Sequence, residues 1–237
     1  MFDVRKRLNL RLRDRLRGLV ADTPELHEIA MRLKSRQRIF QRAYRERSWG
    51  SDESGSGLGS ELAATTSIRP WLPHLFQEHG MRSVLDAPCG DWNWMRQVDL
   101  AGIDYTGVDL VPEVIAANIK AYTRPGVRFA IADLTRDRLP MTDLILCRDC
   151  WIHLSFADID RMLENFRKSG ATWLLTTDAA DVTRNRNQIT GLPWRPLNLR
   201  LPPFRFPEPV EARVDNLPEA PMRLCLWRLQ DLPRLSP

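Results

Sequence analysis

From residue 83 onward, short runs of branched and aliphatic residues alternate with helix-patterned stretches, and this rhythm limits what the 237-residue chain can fold into. Ser83 to Ala87 is followed by a helical stretch over Trp92 to Leu100, and Tyr105 to Leu110 by one over Glu113 to Tyr122. Val127 to Ala132, Asp143 to Cys147 and Thr172 to Thr177 continue the strands, with a helix over Phe156 to Lys168 before the last of them. Runs that are apolar on both faces belong in a parallel sheet covered by helices on both sides, so the chain is of the α/β class. Its end differs. Val210 to Val214 and Met222 to Leu229 have no helix between them and read as an antiparallel hairpin turned at Asp215-Asn216-Leu217-Pro218.

Sheets of this kind bind ligands outside the carboxyl ends of their strands, beside the first strand. Here three successive strands end in an aspartate: Asp86 in VLDAPCG, Asp109 in GVDL and Asp133 in IADL. One such residue reads as a turn former or helix cap. Three at one sheet edge point to a ligand, and a carboxylate at the end of the second strand suits acceptance from two ribose hydroxyls.

These motifs resemble those of the class I S-adenosylmethionine (SAM)-dependent methyltransferases, over residues 81 to 178 and more loosely to 237. The resemblance implies a Rossmann-like αβα sandwich with a mostly parallel seven-stranded sheet and an antiparallel last strand. It implies that Asp86 and the backbone of Ala87, Pro88, Cys89 and Gly90 hold the aminoacyl part of SAM. Asp109 with Leu110 would hold the ribose, and Asp133 with Leu134 the adenine. The family's first turn carries three glycines, whereas this chain has Pro88 and Trp92 at two of the three places and keeps only Gly90. Proline removes an amide donor and fixes φ, so the turn departs locally from the family's. A pyrophosphate needs those glycines, whereas a sulfonium cation beside Asp86 and Asp91 does not.

Beyond the fourth strand lies Cys147-Arg148-Asp149-Cys150-Trp151-Ile152-His153, where an acceptor is expected to approach. An activated methyl group asks mainly for alignment and exclusion of water, and for a base when the acceptor is a hydroxyl. Asp149 and His153 are the candidate catalytic pair: on one helical turn they would share a face, with the carboxylate orienting the imidazole. Arg148 is a candidate for substrate binding. The segment lacks the Asn or Asp followed by Pro-Pro and an aromatic found in family members that methylate exocyclic amines. Cys147 and Cys150 with His153 do not make a zinc site without a fourth ligand, and no metal is expected.

The N-terminal part is set apart by charge. Residues 1–48 carry 14 Lys and Arg against 6 Asp and Glu, a balance of +8, while the remainder is at −3. Val4, Leu8, Leu12, Leu16 and Leu19 share a helical face opposite arginines, and Thr23-Pro24-Glu25 announces a second helix whose apolar stripe includes Phe40 and Tyr44. This basic helical arm is expected to pack on the domain or to dock on nucleic acid or an anionic membrane surface. Because the cofactor motifs start after residue 80, the arm is expected to be dispensable for SAM binding. No run approaches a membrane span and the four cysteines fit a reducing compartment, so the expected location is cytoplasmic, with peripheral membrane contact open.

Between arm and domain, GSDESGSGLGS at 50–60 reads as a flexible loop, either a linker or a ligand-covering lid. The stretch from Glu61 to Gly80 reads as helical pieces broken at Pro70 and Pro73. The long stretch 178–209, with six prolines in 192–209, reads as an ordered covering loop in which Trp194 is a candidate substrate contact. The expected organisation is thus an arm (1–48), a lead-in (49–80) and a SAM-binding domain (81–237). The expected function is methyl transfer to a hydroxyl of a small molecule or glycan. The alternatives are an RNA or protein methyltransferase docked by the arm, and a non-catalytic SAM- or nucleotide-binding module.

Overall fold

The computed structural model describes residues 36–191, 193–215 and 222–235. The first helix of the arm and the start of its second lie outside the described residues. Helix α1 (Arg36–Arg45) is followed by the Gly/Ser loop and helix α2 (Trp71–Glu78). Strand β1 (Ser83–Asp86) opens the sheet, joined by β2 (Asp104–Asp109), helix α3 (Pro112–Tyr122), β3 (Val127–Ile131) and β4 (Leu144–Cys147). Helix α4 (Phe156–Ser169) leads to β5 (Trp173–Asp178), and the hairpin β6 (Glu211–Asp215) and β7 (Met222–Arg228) completes it.

The sheet order is β3-β2-β1-β4-β5-β7-β6. Strands β1 to β5 pair in parallel, β7 runs antiparallel to β5, and β6 antiparallel to β7. The parallel sheet, its antiparallel end and the hairpin are as expected. Chain direction through the sheet reverses between β1 and β4, which places the crevice where the carboxyl ends of β1 and β4 diverge.

Alternation along each strand divides the core in two. Val84, Leu144, Leu146 and Leu175 face the side where Leu72, Leu75 and Phe76 of α2 and Ile115 of α3 pack. Leu85, Ile145, Cys147 and Leu174 face Ile159, Met162, Leu163 and Phe166 of α4. Helix α4 is bounded as its sequence dictates: the Ser155 hydroxyl accepts from the Asp158 amide, and Gly170 takes a left-handed conformation at φ 78°. No helix among the described residues is long and apolar enough to cross a membrane.

Three expectations are corrected. The stretch from Trp92 to Leu100 forms only a 3-10 turn, Met95–Gln97. Trp92 sits at φ 59° with its indole against Tyr105, Tyr122 and Phe129, so burying that ring has replaced the first helical turn. Pro73 does not break α2, because it lies within the first turn, where its missing amide has no helical partner to lose. In the described part of the 178–209 stretch, Leu197, Leu199, Phe204 and Phe206 join the α4-side core rather than a roof over the crevice. Its backbone is held by side-chain amides: Asn185 Nδ2 donates to the Asn198 carbonyl at 2.8 Å, and Asn198 Nδ2 to the Val182 carbonyl at 2.9 Å.

Candidate active site

A cavity of about 1030 Å³, open mouth included, lies at the carboxyl edge of the sheet. Asp86, Asp109 and Asp133 all line it. The register makes this unavoidable: Asp86 pairs with Gly107 and Asp109 with Ile131, so each chain leaves the sheet along the same edge.

The β1–α turn is built around its substitutions. The Ala87 amide donates to Leu146 O of β4 and the Cys89 amide to Val108 O of β2, each at 2.8 Å. Pro88, between them, loses a donor that neither neighbouring strand uses. Gly90 follows at φ 55°. A Cβ on it would meet Ser56 Oγ and come within 3.1 Å of the Tyr44 hydroxyl, so glycine is required by both conformation and space. Pro88, Cys89 and Gly90 reach the cavity, whereas Ala87 is buried in the core behind it.

Each carboxylate has a different setting. Asp86 accepts from the Tyr105 hydroxyl, and burial pushes its pKa up to about 7. Asp109 accepts from the Val111 amide at 2.9 Å and the Gly90 amide at 3.2 Å, and burial raises it to about 6. Against the upward push of burial, hydrogen bonds from Thr135 and Arg36 hold Asp133 below its ordinary range. Leu110 and Leu134 flank these carboxylates in the cavity wall.

The acceptor side differs from the sequence expectation. Asp149 has φ 51° and therefore is not part of a helical turn with His153, which closes the separate 3-10 turn Trp151–His153. The Asp149 amide donates to Thr177 Oγ1 at 2.8 Å, and its carboxylate receives the Thr177 hydroxyl at 3.0 Å and Arg148 at 3.1 Å. His153 Nδ1 lies 3.4 Å from the Pro193 carbonyl oxygen. Both side chains still line the cavity. Arg148 lines it too, but its guanidinium is clamped by Asp215 of β6 at 2.7 and 2.9 Å, so it braces the site rather than offering a free cation. Trp194 is half exposed and does not line this cavity. Its neighbour Arg195 instead donates to the carbonyls of Trp151, Ile152 and Leu154, fixing the turn that carries His153.

Of the far wall, sequence reasoning offered only the Gly/Ser loop, as a linker or a covering lid, and missed the face of α1. Arg36, Phe40 and Tyr44 of α1, with Trp49, Ser56 and Ser60, line the same cavity. Arg36 bridges Asp133 at 3.0 Å and Asp158 at 2.7 Å. The Gly/Ser loop is no free linker: the Asp91 carboxylate accepts from the Ser54 hydroxyl at 3.0 Å, the Gly55 amide at 2.7 Å and the Ser56 hydroxyl at 3.0 Å. Asp91, expected beside a cationic ligand, is thus spent on holding this loop. The signals were present as the Phe40/Tyr44 stripe and the clustered serines, but nothing local says that they face Asp91 and Gly90.

No protein-family model and no curated sequence matches the chain. Solved structures do. The 1,6-didemethyltoxoflavin-N1-methyltransferase of Burkholderia thailandensis, solved with 1,6-didemethyltoxoflavin and S-adenosylhomocysteine, superposes with a TM-score of 0.54 at 20% identity, over 85% of this chain and 89% of that one. The magnesium protoporphyrin IX methyltransferase of Synechocystis, solved with S-adenosylhomocysteine, gives 0.53 at 14% identity, over 80% and 96%. At these identities the likeness is one of fold: the chain has the fold of the class I SAM-dependent methyltransferases.

Proposed function

We propose that this class I methyltransferase fold binds SAM and moves its methyl group to a hydroxyl of a small molecule or glycan. The observation that carries the reading is the convergence of Asp86, Asp109 and Asp133, from three adjacent parallel strands, on one cavity. The donor set fits such a cofactor. Buried carboxylates suit ribose hydroxyls, an amino group and the positive charge of a sulfonium, and a turn carrying Pro88 in place of an amide donor suits a ligand without phosphate.

In this reading Asp109, fixed by the Gly90 and Val111 amides, accepts from the ribose hydroxyls. Asp86 and the 88–90 backbone face the aminoacyl end. Asp133 keeps its charge through Arg36 and Thr135 and faces the adenine amino group, between Leu110 and Leu134. When bound, SAM supplies a methyl group already activated by its sulfonium, so the chain's task is alignment, dryness and one proton. Phe40, Trp49 and Leu154 exclude water from the cavity wall. His153, on a turn pinned by Arg195, takes the acceptor's hydroxyl proton, while Asp149, held by Arg148 and Thr177, lines the same cavity.

A screen of small-molecule and glycan fractions with methyl-labelled SAM tests the reading. Label should appear as an O-methyl group on a small-molecule or glycan product, and the His153→Ala variant should lose about 10²–10⁴-fold in rate while binding SAM normally. Near-normal turnover in that variant reduces His153 to a packing role. Label entering only RNA or protein would move the acceptor to those classes.

A further inference from the structure

Around His153 the cavity wall is aromatic. The indole of Trp49 lies 5.8 Å from the imidazole between ring centroids, tilted at 50°, and is stacked with Phe40 at 6.4 Å and 25°. Tyr44 meets the same indole edge-on at 5.2 Å. The Gly/Ser loop fixes it further: Gly57 has φ 96°, and a Cβ there would fall 2.6 Å from that of Trp49. A hydroxyl brought to His153 therefore arrives with its carbon skeleton against an aromatic surface set in advance.

The polar side chains of this wall are largely spent. Arg36 is held by Asp133 and Asp158, and Arg148 by Asp215 and Asp149, so a carboxylate or phosphate on the acceptor would meet no uncommitted guanidinium among the described residues of the wall. Ser56 and Asp91 are occupied with each other, and Tyr44 with Ser56. Left without a partner among the described residues are the Ser60 hydroxyl and the buried indole N–H of Trp49. A sugar ring can lie against an indole too, but it carries a hydroxyl on most of its carbons, and each one buried unpaired costs about tenfold or more in affinity. A flat aromatic ring asks for no such partners. Acidity points the same way: a phenol, with a pKa of about 10, yields its proton to an imidazole far more readily than an alkanol, which lies near the value of about 15.7 for water.

We propose that the acceptor is an uncharged, flat aromatic compound bearing a phenolic hydroxyl, seated against Trp49 with that hydroxyl at His153. The inference rests on the reading of the cavity as a SAM site with His153 as base. The phenol oxygen bonds to the methyl carbon as the carbon–sulfur bond breaks. The electron pair of that bond stays on sulfur, leaving S-adenosylhomocysteine, and the hydroxyl proton passes to the imidazole. Calorimetry of the full-length chain saturated with S-adenosylhomocysteine reads acceptor choice without turnover, with 2-naphthol, its saturated counterpart decahydro-2-naphthol and methyl glucoside as probes. 2-Naphthol should bind about tenfold more tightly than decahydro-2-naphthol, and methyl glucoside more weakly than either. Trp49→Leu should weaken 2-naphthol by about 2- to 10-fold, the scale of one aromatic pair, and its saturated counterpart less. Trp49→Phe should lose less than the leucine variant, and serves if that one melts early. With methyl-labelled SAM the wild type should form the naphthyl methyl ether. Equal affinity for the two carbon skeletons, or a preference for the glucoside, overturns the phenol and leaves methyl transfer to another hydroxyl standing. Trp49 variants that keep the full preference overturn the proposed seat. A wild-type chain that does not bind S-adenosylhomocysteine overturns the SAM reading itself, and this inference with it.

Discussion

At the scale of single residues, the site depends on carboxylates kept dry. Asp109 contacts two backbone amides and nothing cationic, so its remaining lone pairs are available to ribose; Asp109→Ala should cost about 2–3 kcal/mol of SAM affinity in a protein that still folds. Unchanged affinity by calorimetry removes that assignment. Asp86 carries a pH signature. Its pKa in the fold, about 7, lies above its unfolded value, so the folded chain holds a proton that the unfolded chain releases. Stability of the ligand-free protein from this group is therefore present at low pH and is lost as pH rises through about 7. A cationic ligand wants the ionised form, so SAM affinity should change the opposite way, falling by up to about tenfold per unit below that pKa. Asp86→Asn should flatten that slope, and an unaltered slope would place the titrating group elsewhere. Gly90→Ala should lower both melting temperature and affinity, because a left-handed alanine costs about 1–2 kcal/mol before it meets Ser56 and Tyr44. The aspartates were legible in the sequence because strand ends have one address. Trp92 was not: a tryptophan at φ 59° is chosen by the three rings around it, which local pattern does not record.

At the scale of elements, the strands and α3 and α4 were readable because each has its own periodicity and caps. The strap from α1 through the Gly/Ser loop was not, because its meaning lies in contacts such as Arg36 with Asp133 and Ser56 with Asp91, which no local pattern encodes. With the cavity read as a SAM site, that strap argues for a part in cofactor binding, against the expectation that the N-terminal part is dispensable. Ile39 and Ala43 of α1 are buried, and Arg36 and Tyr44 line the cavity. A chain beginning at Ser48 should lose at least about tenfold in SAM affinity, the equivalent of one hydrogen bond, while keeping the far-ultraviolet signature of the sheet. Full affinity in that truncated chain would return the arm to a docking role. Asp91→Asn, which weakens the acceptor for Ser54, Gly55 and Ser56, should make the loop at 54–56 exchange its amides faster and should weaken SAM less than the truncation does.

At the scale of the whole molecule, a parallel sheet supplies carboxylates from one side and an N-terminal strap closes the other. The aspartate-lined half of the cavity followed from sheet topology and was visible in sequence as three runs ending in aspartate. The other half is made by the residues after β4, the Arg195-pinned turn and Trp49, whose side chains meet only in the fold. The proposed reading puts the cofactor under the strap and the acceptor against His153. The central claim is that the cavity is a SAM site, and titration calorimetry of the full-length protein against SAM and NAD, with Asp109→Ala beside the wild type, tests it most directly. Saturable one-to-one binding of SAM, lost or strongly weakened in Asp109→Ala and not matched by NAD, is the predicted result; no SAM binding by the folded wild type, or tighter binding of NAD, would contradict it.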